Sequence, residues 1–509
     1  MSIHQPLSKR VSGAVFWNTL IIPIRAVLSL LSSVVVVRAL GTESYAIYAL
    51  VISTAATVVA FGGLGLDVSI QKFIPEVYKR NARPGSVAFL KTVILIKLGI
   101  FTAIVVLLNL FPTFFARLFS INTTVRFFLA IVGVITLFQA GADSLEAFLT
   151  SMFDRKSTNI NNLVASVLKP SLVIAAVLLG QELAGIFVSI ALSEAVRLSL
   201  NFLSSRRVLS TMEDTAQERF NFDRLRGRWL SFCGFTYYEK LTRYVISPPF
   251  IILLLAQFLD KTEVAIFALA ADFTIRFLSL LLSPTYGIFM PLFATTYGDS
   301  DDRRLHQTYP LTVKFLALIF IPAGAGLIVI SRNLFAILYP QAFSQSVPVA
   351  QILIAFLFLD VVISTPTATL FHSYEKYRPV IISRFISLAG VASLLVIIPA
   401  YRVLGATILY GTGTLLTSLF LVTISRRQLR LQLPKEVLLK VLGASIVYAL
   451  GLEVLATRLS PTVGWTLLLI GLGVVLFIIS FKAMGGLARE DKETIVNNLP
   501  SLKPVMKFL

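Results

Sequence analysis

The chain has 509 residues, of which 56% are hydrophobic and only 14% charged, and its mean hydropathy is +0.83. A soluble domain carries about a quarter of its residues as charges, so the composition excludes a soluble enzyme and describes a polytopic membrane protein. The formal net charge of +19 would suggest nucleic acid in a soluble chain, but the basic residues fall in alternate loops between apolar runs, which excludes that partner and makes the charge a topology signal.

With about 20 apolar residues needed per crossing, the chain holds about fourteen spans. They run approximately over 14–37, 46–70, 86–110, 125–149, 158–179 and 183–203. After a polar link they continue over 230–257, 263–292, 311–331, 348–371, 380–400, 405–424, 437–457 and 462–481. The first run follows Lys9 and Arg10 and imitates a signal peptide; because many spans follow, it is read as an uncleaved helix. Loops on one side collect Lys72, Lys79, Arg80, Arg83, Arg155, Lys156, the arginines of the link, Arg303, Arg304, Arg426, Arg427 and others, roughly 27 basic residues against six on the other side. That asymmetry predicts a multi-pass protein of the cytoplasmic (inner) membrane with both termini in the cytoplasm. The single cysteine, Cys233, lies in an apolar run, so there is no disulfide framework and no metal cluster.

The chain repeats itself. Leu40–Leu50 reads LGTESYAIYAL, and about 219 residues later Leu259–Leu269 reads LDKTEVAIFAL. At nearly the same spacing FARLF (Phe115–Phe119) returns as FAILY (Phe335–Tyr339), and FDRK (Phe153–Lys156) as SYEK (Ser373–Lys376). Three agreeing registers point to a duplication, a common plan for transporters. The expected fold is all-α, with two six-helix lobes plus two C-terminal helices. Six is even, so both copies enter the membrane from the same side and are expected to be related by a pseudo-twofold along its normal. The expected organisation is an N-lobe over 1–203, a cytoplasmic linker over 204–229, a C-lobe over 230–425, helices 13 and 14 over 426–482, and a cytoplasmic tail over 483–509. Within the linker Glu218, Phe222 and Leu225 recur at helical spacing.

Two features single out functional residues. The second span contains Gly62, Gly63 and Gly65, and the repeat offset sets Gly65 against Pro284 of the eighth span. Matched interruptions point to a transporter's binding region; close packing of small residues is the competing reading. Pro23, just before Arg25, predicts a kink in the first helix. The second feature is charge at membrane depth: Arg25, Asp67, Lys97, Asp143, Glu146, Lys169, Glu194, Arg197, Glu239, Lys240, Arg243, Asp272, Arg276, Asp360, Arg384 and Glu453. At about 2.5 to 3.5 kcal/mol each, these cannot all face lipid. Three acid-first pairs have helical spacing: Glu194 with Arg197, Glu239 with Arg243, and Asp272 with Arg276. Arg25 aligns through the offset with Tyr244, beside Arg243 and a turn from Lys240, so both lobes bring a cation to similar depth. Guanidinium groups grip phosphate oxygens bidentately. Arg25, Lys240, Arg243 and Arg276 are therefore candidates for an anion site, and Asp67, Asp143, Asp272 and Asp360 for a coupling proton or sodium ion.

The basic N-terminus with GAVFWNTL (Gly13–Leu20), then VVVVRALGTESYAIYALVIS (Val34–Ser53), a glycine-rich break and KFIPE (Lys72–Glu76) resembles the Wzx-type polysaccharide-flippase branch of the multidrug/oligosaccharidyl-lipid/polysaccharide exporter superfamily. The extra helix pair is similar to that of Wzx flippases and the lipid II flippase, whereas drug-exporting members usually stop at twelve. The resemblance implies alternating access by rocking lobes that carry a polyprenyl-pyrophosphate-linked oligosaccharide from the inner to the outer leaflet. It implies that Arg25 and Lys240 or Arg243 meet the pyrophosphate. Lipid-linked oligosaccharide is the expected substrate, with a polymerase or glycosyltransferase as a further partner, and no cofactor. A purely cationic interior is a point of departure, since acids are nearly as frequent as bases. The alternatives are an ion-coupled drug or cation exporter of the same fold, and a lipid II flippase. No nucleophile, metal-ligand or Walker motif supports an enzyme, and His4, His306 and His372 are far apart.

Overall fold

A computed structural model describes residues 7–118, 125–214, 220–298, 302–373 and 377–488, with side chains described over 24–117, 126–214, 220–282, 305–371 and 378–488. His4 and the tail beyond 488 lie outside the described residues, as do the side chains of Pro23, Pro284 and His372. The described residues form helices, in chain order α1 (Leu7–Gly62), α2 (Leu66–Leu110), α3 (Pro112–Leu118), α4 (Val125–Ser151), α5 (Arg155–Leu178), α6 (Leu183–Ser210), α7 (Phe222–Val245), α8 (Pro248–Leu255), α9 (Lys261–Gly298), α10 (Asp302–Leu338), α11 (Ser346–Ser373), α12 (Tyr377–Leu429), α13 (Lys435–Ala456) and α14 (Val463–Ala483).

Eleven of these helices are long and apolar enough to cross a membrane. The expected fourteen spans map onto them once the bends are located. The backbone of α1 turns at Gly41 (φ 65°, ψ −179°) and that of α12 at Arg402 (φ 51°, ψ −146°), so each supplies two crossings. The seventh expected span falls on α7 and α8 together, neither of which is among those eleven. The sequence predicts one helix over 230–257; instead α7 begins eight residues earlier and ends at Val245, and Ser247 is extended (φ −97°, ψ 155°) before α8 starts at Pro248. Pro248 and Pro249 explain the interruption, because a proline pushes its predecessor out of the helical region and donates no hydrogen bond. The polar stretch around Glu239, Lys240 and Arg243 keeps α7 below span-like hydropathy.

The chain divides into two compact units, Met1–Ala268 and Leu269–Leu509. In the first, α2 packs on α4, α4 on α6, and α5 on both α1 and α6. Ile70, Phe73, Ile74, Phe89, Val93, Phe148, Trp229 and Cys233 form its core at the arginine-rich end. The Trp229 indole donates to Ser69 Oγ at 3.0 Å, and Phe73 meets Phe232 edge-to-face, so α7 is seated on α2 by packing and by a polar tie. In the second unit α11 packs on α10 and α12, and α13 on α10 and α14. The outward faces carry large exposed apolar side chains such as Val396, Leu450 and Leu467. On a multi-pass membrane protein this is the face expected toward lipid.

Candidate functional site

The first unit contains the break that the glycine cluster foreshadows, whereas the matching interruption expected at Pro284 is not formed: the backbone of α9 runs on as helix through that position. α1 ends at Gly62, Leu64 and Gly65 turn through positive φ (40° and 70°), and α2 starts at Leu66. Gly65 is forced twice over: its backbone is left-handed, which a side chain resists, and a Cβ there would fall 2.8 Å from the Cys233 carbonyl oxygen. A Cβ on Gly62 would fall 2.9 Å from the Phe101 ring. The break is therefore a place where the chain entering α2 comes close to the backbone of α7.

Asp67 sits in the first turn of α2, where exposed backbone N–H groups favour a carboxylate. Its Oδ1 receives Lys97 Nζ at 2.7 Å and Ser144 Oγ at 3.0 Å, while Lys97 also donates to the Ala140 carbonyl at 2.9 Å. Lys97 is 2% exposed. Its charge is thus fully partnered. Asp67 Oδ2 faces Lys240 Nζ at 3.9 Å, and Lys240, on α7, is 42% exposed. One carboxylate serves two cations at the helix break, and the outer cation is held weakly.

A second cluster joins α1, α4, α5 and α6. Arg197 reaches three carboxylates with three different nitrogens: Nε to Glu194 at 2.8 Å, Nη1 to Glu146 at 3.2 Å and Nη2 to Asp143 at 2.8 Å. Asn162 donates to the other oxygen of Glu146 at 2.9 Å, and its carbonyl accepts Ser166 Oγ at 2.7 Å. Arg25 Nε in turn donates to Ser166 Oγ at 3.4 Å, and Glu146 and Arg197 are the charges that act on it. Arg25 is therefore tethered to α5 and to this acidic cluster.

Arg243 pairs with Glu239 at 2.5 Å and is 62% exposed. Next to it the Tyr244 hydroxyl meets Thr57 Oγ1 at 2.5 Å, which fastens α7 to α1. In the second unit Asp272 pairs with Arg276 at 2.7 Å on α9, and Asp360 accepts from Ser418 at 2.5 Å. All three acid-first pairs foreseen from spacing are formed. Sequence reasoning missed Lys97, Ser144 and the Asn162 relay as partners. Asp143 and Glu146 are three residues apart on α4, a spacing that sets both on one face and was available as a signal.

The second unit also holds an apolar cavity of about 410 Å³ among α9, α10, α13 and α14, lined by Phe277, Pro322, Gly326, Leu469 and Phe477 among others. Tyr448 supplies a hydroxyl to its wall, and that group is occupied by the Pro322 carbonyl.

Comparison with known proteins places these features. A family described as "Polysaccharide biosynthesis protein" matches residues 13–297. None of the curated proteins matches the chain in sequence. Among solved structures it is similar to the lipid II flippase MurJ in an inward closed conformation, with a TM-score of 0.69 and 14% identity over 92% of this chain and 97% of that one. It is similar to an inward-facing multidrug resistance MATE family transporter of the MOP superfamily, with a TM-score of 0.66 and 15% identity over 82% and 98% of the two chains. A MATE in complex with MaD3S gives a TM-score of 0.60 at 13% identity over 84% and 97%. A family match over more than half the chain makes this multi-pass membrane protein a member of the polysaccharide biosynthesis protein family, with a fold similar to those of MurJ and the MATE transporters.

Proposed function

We propose that this protein is a flippase that moves a polyprenyl-pyrophosphate-linked oligosaccharide across the cytoplasmic membrane by alternating access, in the Wzx-type branch of its superfamily, with both termini in the cytoplasm. The observation that carries the reading is Lys240 at the Gly63–Gly65 break. Asp67 is already committed to Lys97 and Ser144, so the exposed Lys240, 3.9 Å from Oδ2, is the surplus cation there. A diphosphate gains more from Lys240 than this shared carboxylate does. Arg25, held by a long hydrogen bond to one serine hydroxyl, and Arg243, paired at the surface, supply the further guanidinium groups; Arg276 is a candidate in the second unit. The apolar cavity bounded by α13 and α14 suits an isoprenoid chain.

The acids have roles set by their partners. Asp143 shares Arg197 with two other carboxylates, Asp272 holds Arg276, and Asp360 leans on Ser418. Each remains a candidate for coupling, in which Asp143 and Asp272 would exchange a cation partner, and Asp360 its serine hydroxyl, for a proton or sodium ion. The six-helix lobes, with their boundary in the 204–229 link, are part of the same proposal; the seating of α7 on α2 shows that the first helix after the link packs with the first unit.

The test is leaflet-resolved translocation of a polyprenyl-pyrophosphate oligosaccharide in proteoliposomes. Translocation that requires the protein and falls in Lys240→Ala, Arg25→Ala and Arg243→Ala supports the reading. Efflux of cationic dyes without movement of any lipid-linked glycan replaces it with a drug-exporter reading. Movement of lipid II in preference to the oligosaccharide keeps the phosphate site and changes the cargo.

A further inference from the structure

A second basic site lies outside the one just described. The end of α2 before its bend and the start of α7 enclose a pocket of about 160 Å³, lined by Glu76, Arg80 and Asn81 on one side and Asn221, Arg224 and Arg228 on the other. Three guanidinium groups face one carboxylate. Glu76 is paired with Arg228 and lies 4.0 Å from Arg80, whereas Arg224 ion-pairs with no acid among the described residues. In the adjoining turn Asp214 is taken by Arg83, whose Nη1 donates to both its oxygens at 3.1 and 3.2 Å, and the backbone amide of Arg83 donates to the backbone carbonyl of Glu213 at 2.9 Å. The pocket keeps a surplus of positive charge.

Its walls are built rather than incidental. α2 turns at Ala82 (φ 49°, ψ −153°), which brings the Arg83 tie against the 211–214 turn. Arg228 is seated over the Phe73 ring at 5.0 Å, and Phe220 and Phe222 both pack on Phe89. The guanidinium that faces the pocket is therefore positioned before any ligand arrives. Planar guanidinium forks match phosphate oxygens in pairs. Basic pockets between helices at a membrane surface meet one abundant class of phosphate, the lipid headgroup.

We propose that this pocket binds the phosphate of an anionic phospholipid headgroup and so clamps the start of α7, the helix that carries Lys240, to α2. The proposal stands independently of what the transporter carries.

The test is native mass spectrometry of the purified full chain with phosphatidylglycerol or phosphatidylcholine. The intact protein should retain phosphatidylglycerol selectively, and R80Q/R224Q should lower its apparent affinity about tenfold, the scale of one lost charge-assisted contact. The control R426Q/R427Q, in another basic loop, should bind as the intact protein does. E76Q, which removes the competing carboxylate, should bind at least as tightly. Equal retention by R80Q/R224Q, or an equal loss in the control, overturns the proposal. Displacement of the lipid by millimolar inorganic phosphate, with thermal stabilisation by phosphate alone, overturns the lipid assignment in favour of a free-phosphate site.

Discussion

Lys97 Nζ lies 2.7 Å from Asp67 Oδ1, and the lysine is 2% exposed. The lysine's other two donors reach the Ala140 carbonyl and, at 3.3 Å, Ser144 Oγ. Three donors and three acceptors close the account. Removing one member of such a pair leaves the other charge without compensation at a cost of about 3 to 5 kcal/mol, whereas replacing both by apolar residues approaches neutrality.

Lys97→Met is accordingly expected to lower thermal stability in detergent sharply, and Asp67→Leu/Lys97→Met to recover a large part of the loss. Unfolding of the purified variants, followed by circular dichroism, measures both. A double variant no more stable than Lys97→Met would mean that the pair is not the source of the cost.

Two glycines at positive φ separate strain from contact. Gly41 (φ 65°, ψ −179°) has nothing within 4 Å of a Cβ position, whereas Gly65 (φ 70°, ψ 7°) has the Cys233 carbonyl at 2.8 Å. Gly41→Ala should cost about 1 to 3 kcal/mol, the penalty of a backbone region that only glycine adopts readily. Gly65→Ala should cost about 1 to 2 kcal/mol for its left-handed backbone and more, because α7 must move away from α2. A loss in Gly65→Ala no greater than that backbone penalty would show that the approach of α7 at the break is not tight.

Arg197 divides its three nitrogens among three carboxylates, a spread across a planar fork that the single nitrogen of an ammonium does not match. Arg197→Leu leaves Asp143, Glu146 and Glu194 around an uncharged side chain and should be the least stable variant of the first unit, with a loss of about 3 to 5 kcal/mol. Arg197→Lys should lie between it and the intact protein. An Arg197→Lys variant as stable as the parent would reduce the cluster to a single point-charge contact.

Much of the fold was legible because lipid imposes length and composition on each span, and the repeat of Leu40–Leu50 at Leu259–Leu269 gave the chain its plan. The break at Gly63–Gly65 was legible for a similar reason: glycines in an apolar helix need a geometric cause. The division of α7 from α8 was overlooked because the dipeptide Pro248–Pro249 sits inside an apolar run, where hydropathy outweighed the backbone rule that proline imposes. Partner choice was legible only at helical spacing. Glu239 and Arg243 are four residues apart, so spacing revealed them. Asp67 and Lys97 lie on opposite sides of the bend at Ala82 in α2, and nothing in either sequence segment states which acid a buried lysine will meet.

Asp67 also sets how firmly Lys240 is held. The separation of 3.9 Å and the 42% exposure of the lysine make this an ordinary surface-type contact, worth about 0.2 to 1 kcal/mol. Asp67→Asn/Lys97→Met removes the acid and its buried partner together, which avoids an uncompensated charge and leaves Lys240 without a competing carboxylate. If Lys240 binds the substrate diphosphate, this variant should bind polyprenyl pyrophosphate about two- to fivefold tighter at low salt, the affinity equivalent of that contact. The gain should shrink as salt rises, since screening weakens an exposed pair. Fluorescence titration of purified protein at two salt concentrations reads the effect directly. Unchanged or weaker binding, in a variant that retains the parent's fold by circular dichroism, would separate Lys240 from the phosphate and move the anion site to Arg25 and Arg243.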